Sequence, residues 1–130
     1  MYARDAAART FGITIEEVRP GYARLSMVAT PSMLNGHEVV HGGFIFALAD
    51  TAFAYACNSR DESNVALNAA ISFTAPGQAE QRLVASAQER SRAGRTGIYD
   101  VEVQNEAGET IAFFRGTSYR IGGPVISPSA

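Results

Sequence analysis

Fifteen consecutive residues, Gly43 to Cys57, contain no proline and almost no polar side chain. A run of that length without a breaker reads as a helix, and a helix apolar on every face must be covered on every face. Gly42 and Gly43 open it. One residue is out of keeping: Asp50 stands mid-run among Leu48, Ala49, Ala52 and Phe53. An ionised carboxylate there is costly unless a partner stabilises it or a reaction uses it. Asp50 is therefore the first candidate for chemistry. Cys57, the single cysteine, has no partner for an internal disulfide, and its place on the apolar run predicts burial rather than nucleophilic action.

The remaining chain supplies the cover. Residues 2 to 10 predict a short helix ended by Gly12. From Ile13 the apolar period becomes two, with a turn at Pro20 and Gly21, so that Ala23, Leu25, Met27 and Ala29 oppose Tyr22, Arg24, Ser26 and Val28 in a hairpin. Met33 to Val40 reads as an irregular connection carrying Asn35, His37 and Glu38, and His41 follows. Beyond the helix, a polar loop over 58–64 leads to strands at Val65 to Thr74, Gln81 to Ser91, Gly97 to Gln104 and Glu109 to Ile121. Gly122 to Ala130 reads as a loose tail rich in Gly, Pro and Ser. At 130 residues the chain predicts a single domain over 1–121. One curved antiparallel sheet can wrap only part of an all-apolar helix, so the expected class is α+β with self-association covering the remainder.

Charge and composition exclude several partners. A formal net charge of -2 argues against a nucleic-acid or other polyanion binder. No apolar run approaches the roughly 18 residues of a membrane span, and the N-terminus lacks a signal-peptide core. The expected location is the cytoplasm. His37 and His41 with Asp50 do not form a recognised ligand spacing, so neither metal nor other cofactor is expected.

The series Asn35-Gly36-His37-Glu38-Val39-Val40-His41-Gly42-Gly43, followed by Leu48-Ala49-Asp50, resembles the hotdog-fold acyl-CoA thioesterases of the phenylacetic acid degradation group. Leu67 to Phe73 and Gly94 to Tyr99 are similar to that group too. The resemblance implies a sheet wrapped round the helix, and dimers with a continuous sheet that often pair into tetramers. It implies an acyl-CoA substrate, with an aryl acyl group such as phenylacetyl. By the same resemblance Asp50 is the general base or nucleophile, Gly42 N–H polarises the thioester carbonyl with help from Asn35, and His41 lies near the leaving sulfur. One departure is visible. Where some relatives carry a serine or threonine after the helix, Ala66 stands here, which leaves Thr51 or Asn68 to support Asp50.

Elementary chemistry agrees. Thioester hydrolysis needs a group that attacks or activates water, and donors aimed at the carbonyl oxygen as charge develops. The first N–H groups of a helix are such donors, and Gly42 and Gly43 let a substrate approach them closely. Gly42 and Asp50, however, are eight residues apart, about 12 Å along a helix. One chain cannot bring both to the same carbonyl, whereas two antiparallel helices across a two-fold axis can. Arg90, Arg92 and Arg95, before Thr96 and Gly97, are candidates to hold the phosphates and pantetheine arm of coenzyme A. Phe44, Leu48, Phe53 and Tyr55 are candidates for the acyl pocket. Two other readings use the same residues: a hydroxyacyl-thioester dehydratase with a histidine base, and a non-catalytic acyl-CoA sensor.

Overall fold

The alternation read in the sequence builds one six-stranded antiparallel sheet. The computed structural model describes residues 1–125. A 3-10 turn at Tyr2–Arg4 and helix α1 (Ala6–Thr10) precede the hairpin of β1 (Thr14–Arg19) and β2 (Tyr22–Val28). After a 3-10 turn at Pro31–Met33 comes the long helix α2 (Gly42–Cys57). Four strands follow, β3 (Asn64–Phe73), β4 (Arg82–Ala93), β5 (Thr96–Gln104) and β6 (Thr110–Arg120), and the sheet order is β1-β2-β4-β5-β6-β3. The sheet curls round α2, which is the expected α+β hotdog arrangement.

Two local rules modify the expected elements. The helix foreseen over 2–10 is broken at Asp5, whose Oδ1 accepts the Ala8 N–H at 3.0 Å and so caps α1; aspartate is a strong N-cap and interrupts a helix more readily than it continues one. Gly123, Pro124 and Val125, in the segment expected to be loose, hydrogen-bond to Ser63 and Asp61 of the loop before β3. The rest of that segment, 126–130, lies outside the described residues. No described helix is long and apolar enough to cross a membrane.

The core lies between α2 and the sheet. Ala23, Leu25 and Met27 of β2, Leu83 and Ala85 of β4, and Val101 and Val103 of β5 are buried against Leu48, Ala49, Ala52 and Phe53 of α2. Phe53 meets Tyr99 and Phe114 with ring centroids 5.6 Å and 5.8 Å away. Each large side chain removed from water there contributes roughly 1.5–3 kcal/mol.

Cover is incomplete along one line. Gly43, Phe46, Ala47, Asp50, Thr51 and Ala54, spaced by three and four residues, are the α2 positions left half-buried or exposed on one face. The edge strand β3 is open as well, since it pairs only with β6 among the described strands, and Val65, Leu67 and Phe73 are exposed.

Gly116 shows how tightly the sheet grips the helix. A Cβ there would lie 2.9 Å from three atoms of the Phe53 ring, which is fully buried and has nowhere to go. Gly116→Ala is expected to cost about 1–3 kcal/mol in urea unfolding; an unchanged midpoint would show that the ring can move.

Candidate active site

The start of α2 is shaped by His41. Its Nδ1 accepts the Gly43 N–H at 2.9 Å, and its carbonyl accepts the Phe44 N–H at 3.0 Å. An imidazole nitrogen that accepts has no proton, so the neutral ring carries its proton on Nε2. Of the two glycine amides, the Gly42 N–H alone has no acceptor among the described residues. The expectation that both face a substrate oxygen is corrected to Gly42, because His41 already occupies Gly43.

The preceding loop brings Asn35 to the same place. Its Oδ1 accepts the N–H groups of His37 at 2.9 Å and Val39 at 3.4 Å, and its backbone N–H bonds to the Val39 carbonyl at 2.8 Å. This closed turn, with Glu38 at φ 61°, leaves the Asn35 Nδ2 hydrogens without an acceptor among the described residues. Val40 N–H to Gly77 O at 2.8 Å and His41 N–H to Met33 O at 2.7 Å pin the loop at its end. Asn35 and Gly42 line one cavity of about 490 Å³, whose other walls include Val40, Ile45 and Phe73. Two residues with unbonded donors therefore line a largely apolar space.

The side chains expected to form the acyl pocket do not line it. Leu48, Phe53 and Tyr55 are buried in the core, and Phe44 packs edge-on to Phe11. Phe73, which the sequence marked only as a strand residue, stands in their place.

Asp50 lies elsewhere, on the half-open stripe of α2 and not on this cavity. It has no hydrogen bond or ion pair among the described residues, and burial pushes its carboxyl above the ordinary aspartate value of 3.8. Thr51 Oγ1 donates to Ala47 O at 2.6 Å, which turns that hydroxyl back on its own helix. Asn68 pairs with Thr117 and Ala66 with Ser118, with a bulge at Leu67 between them. Directly paired residues share a face. Ala66 therefore points toward the helix and Asn68 away, and Asn68 is on the wrong face to support Asp50.

The arginine cluster is likewise divided. By simple alternation Arg90 and Arg92 share a face, but a bulge between Glu89 and Ser91 shifts the phase of β4 at Arg90. Arg90 joins Asp100 at 3.1 Å on the outer face, beside Arg115. Arg92 pairs with Glu62 at 3.0 Å, and Arg95 donates to Arg120 O at 2.8 Å. Arg92, Arg95, Thr96 and Gly97 line a shallow hollow with Arg60 and Arg120, two cations that come from distant parts of the chain. Of the four guanidinium groups there, Arg60 pairs with Glu89, Arg92 and Arg120 share Glu62, and Arg95 has only the Arg120 carbonyl, so the hollow is positive. The Arg120 and Arg92 partners hold the Glu62 carboxyl below its usual range. Among the described residues no three His, Cys, Asp or Glu side chains are grouped to hold a metal ion.

This helix, its free amide and its unpaired acid can now be set beside known proteins. The chain belongs to the thioesterase superfamily, whose family model matches residues 37–112. It is 49% identical over 125 residues to the acyl-coenzyme A thioesterase PaaI of Escherichia coli K12, covering 96% of this chain and 89% of that protein. The structure of the E. coli PaaI protein from the phenylacetic acid degradation operon superposes with a TM-score of 0.94, over 95% of this chain and 90% of that one. The TT0310 protein of Thermus thermophilus, 38% identical, gives 0.87 over 91% and 99%.

The position of Asp50 has a consequence for stability. A carboxyl whose folded pKa is raised is bound to its proton more often in the folded state, so its contribution to stability falls as pH rises above 3.8. Asp50→Asn is expected to raise stability at pH 7, with the gain shrinking as pH falls toward 3.8. Urea titrations of both forms across that range check the sign.

Proposed function

We propose that the protein hydrolyses acyl-CoA thioesters, preferring an aryl acyl group, at sites shared between two copies of the chain, with residues 1–121 as the catalytic unit. The observation that carries the shared site is the separation of the two unpaired groups: the Gly42 amide faces a cavity that Asp50 of the same chain does not line. α2 and β3 pack against one another, and an antiparallel second copy would cover both the open stripe of the helix and the open edge of the strand. Its Asp50 would then stand opposite Gly42. The E. coli relative, an acyl-CoA thioesterase linked by its operon to phenylacetic acid degradation, supports the reaction and the aryl preference.

In this reading the thioester carbonyl oxygen accepts from Gly42 N–H and Asn35 Nδ2. Asp50 of the second copy either takes a proton from the attacking water or attacks the carbonyl carbon itself. The tetrahedral oxyanion collapses, the C–S bond breaks, and the leaving thiolate takes up the proton released by the attacking water, through Asp50 or through solvent, while His41 Nε2–H would serve as a hydrogen-bond donor to the sulfur. If Asp50 attacks first, water then cleaves the anhydride. A histidine base for dehydration needs a free nitrogen lone pair, and the His41 Nδ1 lone pair is engaged with Gly43. A sensor gains nothing from an unpaired, half-buried acid. Thr51 lies one residue from Asp50, and its hydroxyl oxygen can still accept from a water. The positive hollow of Arg92, Arg95, Thr96 and Gly97 would take the phosphates of coenzyme A. We place the protein in the cytoplasm with this substrate, and assign any pairing of dimers to the outer sheet face near Phe113.

Incubation with phenylacetyl-CoA and a thiol reagent is expected to show thiol release, and Asp50→Asn to slow it at least a hundredfold, about 3 kcal/mol in the barrier. Mixing Asp50→Asn chains with Asn35→Ala chains tests the sharing: half of randomly assorted dimers are hybrids with one intact site, so activity should return to roughly a quarter of wild type. No recovery in verified hybrids would place both groups in one chain. Arg95→Ala should raise KM several-fold for the CoA ester and leave a short pantetheine-like thioester unaffected; equal effects on both would remove the hollow from binding.

A further inference from the structure

We infer that Phe73 sets the acyl preference of the site by giving the cavity beside Gly42 an aromatic wall. Phe73 ends β3, and its ring points end-on at Gly42: a Cβ on residue 42 would lie 2.8 Å from Cζ and 3.3 Å from each Cε. The ring is 52% exposed although its neighbours in the cavity, Val40 and Ile45, are buried. Core packing therefore does not account for it. The backbone beneath is fixed, since Thr74 N–H bonds to Ile111 O and Thr74 Oγ1 to Thr110 O, each at 2.9 Å. A carbonyl bonded to the Gly42 amide would share its cavity with this ring, which brings the acyl group within the ring's reach.

Flat aromatic groups gain from edge or offset contact with such a ring, whereas a flexible alkyl chain gains little beyond area. The remaining walls offer only the polar groups of Asn35 and Thr74. An apolar, planar acyl group fits that chemistry. The inference rests on the acyl-thioester reading above and adds the residue that discriminates among acyl groups.

The test uses unhydrolysable thioether analogues of phenylacetyl-CoA and hexanoyl-CoA, titrated calorimetrically into the intact wild-type protein and into Phe73→Leu and Phe73→Tyr. Wild type is expected to favour the aryl analogue. Phe73→Leu should lower the aryl-to-alkyl affinity ratio about tenfold, and Phe73→Tyr, which keeps the ring, should preserve it. A Phe73→Leu ratio unchanged from wild type, or an equal loss for both analogues, overturns the inference. Discriminating binding without turnover of phenylacetyl-CoA would refute the hydrolytic reading and leave this one standing. Failure of wild type to bind either analogue overturns both.

Discussion

The first amides of a helix have no carbonyl of their own helix to bond, and this fold holds one of them, on Gly42, beside a largely apolar cavity. His41 makes that possible. By bonding the Gly43 N–H it fixes the first turn of α2, and by lying outside the helix it leaves Gly42 as the donor that faces the cavity. The sheet then holds the helix in position along nearly its whole length, through contacts as close as Gly116 to Phe53. The dipole of a firmly held helix favours negative charge at this end. In the proposed reaction this amide would be a donor that need not reorganise when charge develops.

The same rigidity explains the awkward acid. Asp50 sits where a hydrophobic side chain would pack without cost, has no partner among the described residues, and has its carboxyl raised by burial. On the proposed mechanism, stability is given up at the position that supplies the reactive oxygen. A raised carboxyl is also a better proton acceptor than an exposed one, and general bases work best when their pKa approaches the working pH.

Most of the fold was legible because its signals are local. The run from Gly43 to Cys57 gave α2 to within a residue, and alternation put Ala23, Leu25 and Met27, which the fold buries, on the opposite face of β2 from Tyr22, Arg24 and Val28. The Gly42 and Asp50 positions could be marked as candidates because an apolar helix makes any exception conspicuous. What escaped notice depends on phase and distance. A single extra residue at Arg90 sent that side chain to the opposite face from Arg92, and another at Leu67 did the same to Asn68. Arg60 and Arg120 meet from opposite halves of the chain, which no spacing rule reports. Phe73 looked like an ordinary strand residue until the fold put its ring against Gly42.

Strand β3 is fastened to both ends of α2. At one end Phe73 rests on Gly42. At the other, Asn64 donates to Cys57 O at 2.7 Å and its N–H bonds to Asn58 Oδ1 at 2.8 Å. A slip of one residue would reverse every side chain on the strand and would also break both fastenings together. The register of this exposed edge and the order of the helix start are thus one and the same alignment.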